Sequence, residues 1–504
     1  MDTIMITKQL HCRTQSERSV FPAQAGIQSQ RSTVSAKTVR QHCMASRWFP
    51  ACAGMTKLMS RLTTGLRTFV CACLLLSAPV QSYAGFEVPG ETPAGPIVLE
   101  HGTIHTMASG TIEDGILVIE DGKITRLGQA DGITPPEGEN VTRIDITGKH
   151  VYPGLIDADT TMGLVEIDSI RATKDMQETG SINSNVRGGA AFNPDSEMLP
   201  VARAGGVLFS LTVPRGGTIS GQSTLMRMDG WTAEDMTMVP TVGIHVNWPS
   251  RPRRSWHNDE SEAEQLKERS DRLKSIRDFL EDVRAYAAMK EAGNSSKHDA
   301  KLDAMIPVIK GEIPVFVHAN AAGQIQEAIA FGNRESLKTV IVGGLEAPYC
   351  ADLLKRHDVP VIVTGTHRLP RRRHADYDEA FRVPARLKQA GVQYCLAGYA
   401  RFSASLVQNL AHQAGSAAAF GLDPDEAVKS ITIYPAKILG VDNVVGSLSA
   451  GKEATLIVAD GDILEVTTTV EHAYMQGRAI DLNNRHKRLY SKWKVKYERE
   501  GDGK

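Results

Sequence analysis

The stretch Val151-Tyr152-Pro153-Gly154-Leu155-Ile156-Asp157-Ala158-Asp159-Thr160-Thr161 decides how this chain is read. It opens as an apolar strand, Val151 to Asp157, and runs into the polar positions Asp159 and Thr161. Similar short apolar runs recur downstream at Val207 to Val213, Val242 to Val246, Val315 to His318, Thr339 to Val342, Val359 to Val363 and Val392 to Leu396. Between them, Leu266, Leu273, Ile276, Leu280, Val283 and Met289 recur at helical spacing, and Ser261 with Glu264 forms a capping box at the start of that helix. Strands alternating with helices of this length favour a parallel sheet, and about eight repeats would close a (β/α)8 TIM-type barrel. An open doubly wound sheet is the alternative.

Outside this α/β centre both flanks read as strands and turns. Ile116 to Glu120 and Lys123 to Leu127 hinge at Asp121-Gly122, a strong hairpin signal because both residues tolerate the positive φ of a primed turn. Residues 446 to 480 repeat the style, with Ala454 to Val458, His472 to Met475 and a turn at Gln476-Gly477. Neither flank has enough strands to bury a sheet face alone, so the two are expected to join as one small β-sandwich, 85–152 with 441–482, around a barrel at 153–440. Residues 483–504 form a charged tail.

The first 84 residues differ in kind. Residues 1–57 carry eight Lys/Arg against two acids and no hydrophobic period, and they echo Phe21-Pro-Ala-Gln-Ala-Gly26 in Phe49-Pro-Ala-Cys-Ala-Gly54. The expectation is a non-native or disordered leader to residue 58, with translation starting at Met59. A secretory signal follows at 59–84: Arg61 and Arg67, an apolar run from Phe69 to Val80, and Ser82-Tyr83-Ala84 ahead of the cleavage point. That run of about 12 residues falls short of the roughly 20 that span a bilayer, so no stable membrane anchor is expected. Five of the seven cysteines lie in the part that would be removed, leaving Cys350 and Cys395, read as two buried thiols. The expected location is secreted, in the periplasm.

With 504 residues, 41% of them hydrophobic, the chain can bury a large core. A net charge of −1, without a basic stripe interleaved with aromatics, excludes a broad nucleic-acid footprint.

Over residues 96–482 the chain resembles the amidohydrolase superfamily, in particular its imidazolonepropionase-like and periplasmic members. Two phrases carry the resemblance: the opening stretch, and Thr432-Ile-Tyr-Pro-Ala-Lys-Ile-Leu-Gly440 followed by Gly451-Lys-Glu-Ala-Thr-Leu-Ile-Val458. The resemblance implies a barrel whose first strand ends in a His-x-His pair, with a lysine or glutamate on the fourth strand, histidines on the fifth and sixth, and an aspartate on the eighth. Here Asp159 and Thr161 stand at the paired histidines, the fourth strand offers His245, His318 matches the fifth, Glu346 ends the sixth, and no acid occurs from Leu396 to Asn409. The metal site implied by the family is therefore degenerate. A catalytic metal takes its water from a pKa of 15.7 to about 7, worth roughly 12 kcal/mol, which a lone carboxylate does not replace.

Asp159 is the candidate catalytic base, or a ligand to a relocated metal; its bland alternative is a loop cap. His318, His245 and Glu346 are the candidate metal ligands, an N/O set that suits one Zn2+ or another divalent ion if they converge, and hydrogen-bonded barrel filling if they do not. His367, Arg371 and Arg373, in a cationic loop after the seventh strand, are candidates for binding a substrate carboxylate or phosphate, against the plainer reading of a solvated charge run. The segment Pro214 to Ser223 is glycine-rich, with backbone N–H groups that could line a pocket, but lacks the lysine and spacing of a phosphate loop. No Gly-x-Ser-x-Gly elbow offers a serine nucleophile. The expectation is a hydrolase acting on carbon–nitrogen (non-peptide) bonds of a small amide, cyclic amide or dipeptide-like substrate, with or without metal. The rival is a catalytically silent barrel that binds a ligand or partner.

Overall fold

The computed structural model describes residues 88–251, 260–294, 298–399 and 403–501. The stretches expected to be a leader and a signal segment, with their five cysteines, lie outside the described residues. Among the described residues sixteen strands follow one another: β1 (Ile97–His105), β2 (Thr111–Glu120), β3 (Lys123–Gln129), β4 (Thr142–Asp145), β5 (His150–Pro153), β6 (Leu155–Thr160), β7 (Val207–Thr212), β8 (Ile219–Arg227), β9 (Thr237–Asn247), β10 (Val315–Ala319), β11 (Thr339–Gly343), β12 (Val361–Thr364), β13 (Tyr394–Ala397), β14 (Leu456–Ala459), β15 (Val470–Met475) and β16 (Arg478–Ala479).

The decisive stretch straddles two sheets. Its first half is β5, which pairs antiparallel with β14 (Val151 opposite Val458) in a sheet ordered β16-β15-β14-β5-β1-β2-β3, with β4 beside β1. Its second half is β6, the first strand of the other sheet. Gly154 separates them because a Cβ there would come within 2.9 Å of Leu208. Strands from both ends of the described chain thus share one hydrogen-bonded sheet where the sequence reading expects a sandwich. Its main apolar face is packed by Leu99, Ile104, Leu117, Ile119, Leu456 and Val458. The β2–β3 turn forms as expected, with Asp121 at φ 49° and Gly122 at φ 74°.

The second sheet runs β6-β7-β8-β9-β10-β11-β12-β13 and nearly closes into a barrel. It is not the all-parallel ring expected: β8 is antiparallel to both β7 and β9. The chain turns back through Pro214–Thr218 without a crossover helix, so a hairpin-like return replaces one strand–helix repeat. β13 and β6 are joined across the seam by other groups. The Leu396 N–H donates to the Ser430 carbonyl and the Ile156 N–H to that of Ile431, both at 2.9 Å, while the Gly398 N–H donates to Asp157 Oδ1 at 3.0 Å. Asp157 is thus a strap across the seam. Its burial pushes its pKa up to about 6, against the pull of two backbone N–H donors.

Barrel strands are apolar because both faces are covered, and Leu208, Phe316, Ile341, Ile362 and Leu396 are fully enclosed. Each such side chain contributes roughly 1.5–3 kcal/mol of transfer free energy. The helix Glu262–Glu291 starts at the Ser261–Glu264 capping box and buries Ile276, Phe279, Leu280, Val283, Tyr286 and Ala287. Its periodic Leu266 and Met289 are half exposed, each lying outside the buried stretch from Ile276 to Ala287. Cys350 and Cys395 are buried free thiols. Among the described residues no helix is long and apolar enough to cross a membrane.

Candidate active site

Three side chains meet at the C-terminal ends of barrel strands. Asp159 comes from β6, His245 from β9 and His318 from β10, and one ligand atom of each lies within 4.8 Å of the others. Strand register explains the pair of imidazoles. Phe316 lies directly opposite His245 in the parallel β9–β10 ladder, so His318, two residues on, is its diagonal neighbour on the same face. The His245 ring stacks on Phe316 at 4.7 Å, and its Nδ1 lies 2.9 Å from His318 Nε2. One of these nitrogens must carry the shared proton.

Burial sets the electrostatics. His245 is fully enclosed, and desolvation, then the neighbouring His318, hold its pKa well below the usual imidazole range. His318, at the partly exposed edge, is held at about 4 by desolvation, opposed by the Asp159 carboxylate. Both rings are neutral at physiological pH and so able to lend a lone pair.

Asp159 is completely buried, and neither of its carboxylate oxygens accepts a hydrogen bond. Its counter-charge is Arg215, whose Nη1 lies 2.9 Å from Oδ1 in an ion pair that lacks hydrogen-bond alignment. Arg215 stands in the β7–β8 return, on a glycine-rich loop whose backbone is tied to Met176 by the Arg215 N–H. Its Nε and Nη2 are also without partners, as is His245 Nε2. A buried cluster with this many unused polar atoms is built to receive something polar. In the sequence the Arg215 loop stands out only for its backbone N–H groups; the signal that marks the arginine itself is its position three residues after β7, at a strand C-terminus.

The other candidates lie elsewhere. Glu346 does not join the cluster: its carboxylate accepts the Ala322 N–H at the start of the helix Ala322–Arg334 at 2.9 Å and is gripped by Arg372 through Nε (3.1 Å) and Nη2 (2.9 Å). Arg371 Nε stands 3.7 Å from the same carboxylate. With its oxygens so engaged, Glu346 orders the rim rather than facing the histidines. His367 Nε2 is 2.6 Å from Ser416 Oγ, and Arg373 is exposed. Thr161, at the second of the two first-strand positions, binds Ser403 Oγ through its N–H and Oγ1 at 3.0 and 3.1 Å, a structural tie.

A divalent ion is what relatives of this fold usually hold. One carboxylate and two neutral imidazoles, with both Asp159 oxygens and His245 Nε2 unsatisfied, fit such an ion in donor type and number while leaving a position open. The Arg215 guanidinium is the opposing feature, a fixed positive charge on the same carboxylate.

The chain is similar to several known proteins. Imidazolonepropionase of Brucella anthropi is 23% identical over 386 residues, covering 70% of this chain and 88% of that protein. The Shewanella frigidimarina imidazolonepropionase is 43% identical over 58 residues, 12% of this chain and only 13% of that relative's length. Among solved structures, an amidohydrolase from Thermotoga maritima superposes with a TM-score of 0.67 at 25% identity, covering 76% of this chain and 99% of that one. The model of the amidohydrolase family matches residues 228–480, which take in β9 to β13 of the barrel and the closing strands of the end sheet. On that match, spanning half the sequence and both sheets, the chain belongs to the amidohydrolase family.

Proposed function

We propose that this protein hydrolyses a carbon–nitrogen bond of a small amide, cyclic amide or dipeptide-like compound at the Asp159, Arg215, His245 and His318 cluster. One observation carries the reading: a fully buried carboxylate with both oxygens unsatisfied, set beside two neutral imidazoles at barrel strand ends, where this architecture keeps its chemistry. Asp159 accepts a proton from a water as that water attacks the substrate carbonyl carbon; the C–N bond then breaks and the proton passes to the departing nitrogen. The free Arg215 donors, Nε and Nη2, face the demand for stabilising the negative charge that develops on the carbonyl oxygen. Substrate enters past His318 and Arg215, the partly exposed members. Asp159, His245 and His318 would hold a divalent ion, which when bound supplies Lewis acidity.

The test combines metal analysis of the purified protein with an amide, lactam and dipeptide panel. Turnover that falls about 10²–10⁴-fold in Asp159→Asn supports the assignment. Turnover unchanged in that variant removes Asp159 from the chemistry.

One observation favours a second reading, a barrel that binds without catalysing: the Asp159 carboxylate already has a cationic partner in Arg215. A metal-free protein inert on the whole panel would support it. We also propose export with a mature start at Gly85, supported by the Arg61, Arg67 and Phe69–Val80 pattern and Ala84. A detected peptide from residues 1–57 would overturn the proposed start at Met59.

A further inference from the structure

The helix Arg485–Gly501 closes the described chain, and every residue from Arg485 to Glu500 on it is exposed. It is a well-started helix: Asn484 Oδ1 accepts the Lys487 N–H at 3.0 Å, and Arg488 reaches Glu197 on the barrel side at 2.8 Å. Yet it carries Leu489, Tyr490, Trp493 and Tyr497, with Tyr490 70% and Tyr497 63% exposed. At about 100° per residue these four fall within one stripe about 100° wide. Lys496 and Lys494 border the stripe on its two sides, 3.6 Å from Glu500 and 3.8 Å from Glu498 one turn on, and Lys487, Arg488, Lys492 and Arg499 outnumber the one acid, Glu498, on the remaining face that Ser491 and Val495 share. Lys496 Nζ lies 5.1 Å from the Trp493 ring and 5.4 Å from that of Tyr497, so the aromatic stripe and its cationic borders form one surface.

The charge is segregated. The helix has seven Lys/Arg against two Glu, a net of +5, while the whole chain is −1, so everything else sums to −6. An amphipathic segment with tryptophan and tyrosine on one face and lysines snorkelling around it matches the headgroup boundary of an anionic bilayer. At about 25 Å and with this charge it lies on such a surface and does not cross it. Stacking on nucleic acid is the weaker fit, because a long polyanion would also meet the negative remainder of the protein.

We infer that the helix Arg485–Gly501 is a reversible docking surface for anionic phospholipid, with Trp493 and Tyr497 entering the interface and Lys492, Lys494 and Lys496 meeting headgroup phosphates. This goes beyond the barrel chemistry and stands without it.

The test is co-sedimentation of the full chain with phosphatidylcholine vesicles and with vesicles half phosphatidylglycerol, at low and moderate ionic strength. Binding should be confined to the anionic vesicles and weaken with salt. Each lysine changed to glutamine should weaken it about fivefold, so Lys492→Gln/Lys494→Gln/Lys496→Gln together should cost about 100-fold. Trp493→Ala/Tyr497→Ala should cost about tenfold or more. Because all five side chains are exposed, the thermal midpoint should not move, which separates loss of docking from loss of fold. Equal binding to both vesicle types, no binding to either, or full binding by the triple-lysine variant overturns the inference. So does self-association or oligonucleotide binding that uses Trp493 and Tyr497 in a protein indifferent to vesicles.

Discussion

Arg215→Met is the substitution that most directly probes the cluster, since it removes the guanidinium while keeping much of its length. Asp159 is fully buried and Arg215 is 18% exposed, so the pair is largely desolvated. Removing one partner of a buried ion pair typically costs about 3–5 kcal/mol, because the other charge is left uncompensated; the residual exposure of Arg215 puts this case near the lower end, about 3 kcal/mol. Urea unfolding at neutral pH with a chelator present should therefore show that loss. A divalent ion on Asp159, His245 and His318 would restore the missing positive charge, and zinc at about 100 times its dissociation constant should return about 2.7 kcal/mol. The parent should gain less, since its guanidinium opposes the ion. Asp159→Asn/Arg215→Met should be less destabilised than Arg215→Met alone, as no charge is then stranded. A variant as stable as the parent in chelator, or zinc stabilising parent and variant alike, would refute the reasoning.

Three further outcomes can be checked with ordinary biophysics. Burial alone would raise the Glu426 pKa, but Lys388, Tyr434 and Lys429 overcome it and hold the carboxyl at about 2 against an ordinary 4.5, so its contribution is complete above pH 4.5 and lost as pH falls toward 2. With partial solvent screening that is worth about 2 kcal/mol, and Glu426→Gln should flatten this limb of the pH–stability curve. Gly398→Ala sets a Cβ 2.7 Å from Asp157 Oδ2, and loosening the strap across the barrel seam should cost about 2–4 kcal/mol in thermal or urea unfolding; a loss under 1 kcal/mol would show the strap to be dispensable. Cys350 and Cys395 should resist a thiol reagent in the native protein and react on unfolding, as read by mass spectrometry of their peptides.

Much of the architecture is legible where residues act locally. The Asp121-Gly122 turn and the Ser261–Glu264 box both depend on neighbours in sequence. β8 is not legible, because Ile219-Ser-Gly-Gln-Ser-Thr-Leu-Met-Arg227 carries glycine and polar residues where an apolar run marks the other strands. Its place comes from ladder bonds to β7 and β9, which are tertiary. The site divides the same way. The spacing of Asp159, His245 and His318 says nothing of their meeting, which follows from strand order and register. Glu346 falls three residues past the end of β11 rather than on the strand, and three nearby donors claim it, a competition that is invisible without coordinates.

The pairing of β5 with β14 also bears on how the chain is made. Val151 and Val458 are ladder partners, so the edge of β5 stays open during synthesis until some three hundred further residues have emerged. A ribosome adding about 5–20 residues per second leaves that edge unguarded for tens of seconds, an interval in which a neighbouring nascent chain or a chaperone could occupy it. Completion of the small sheet is therefore timed by the last strands, and a truncated polypeptide ending before β14 would be expected to aggregate rather than persist as a lone barrel.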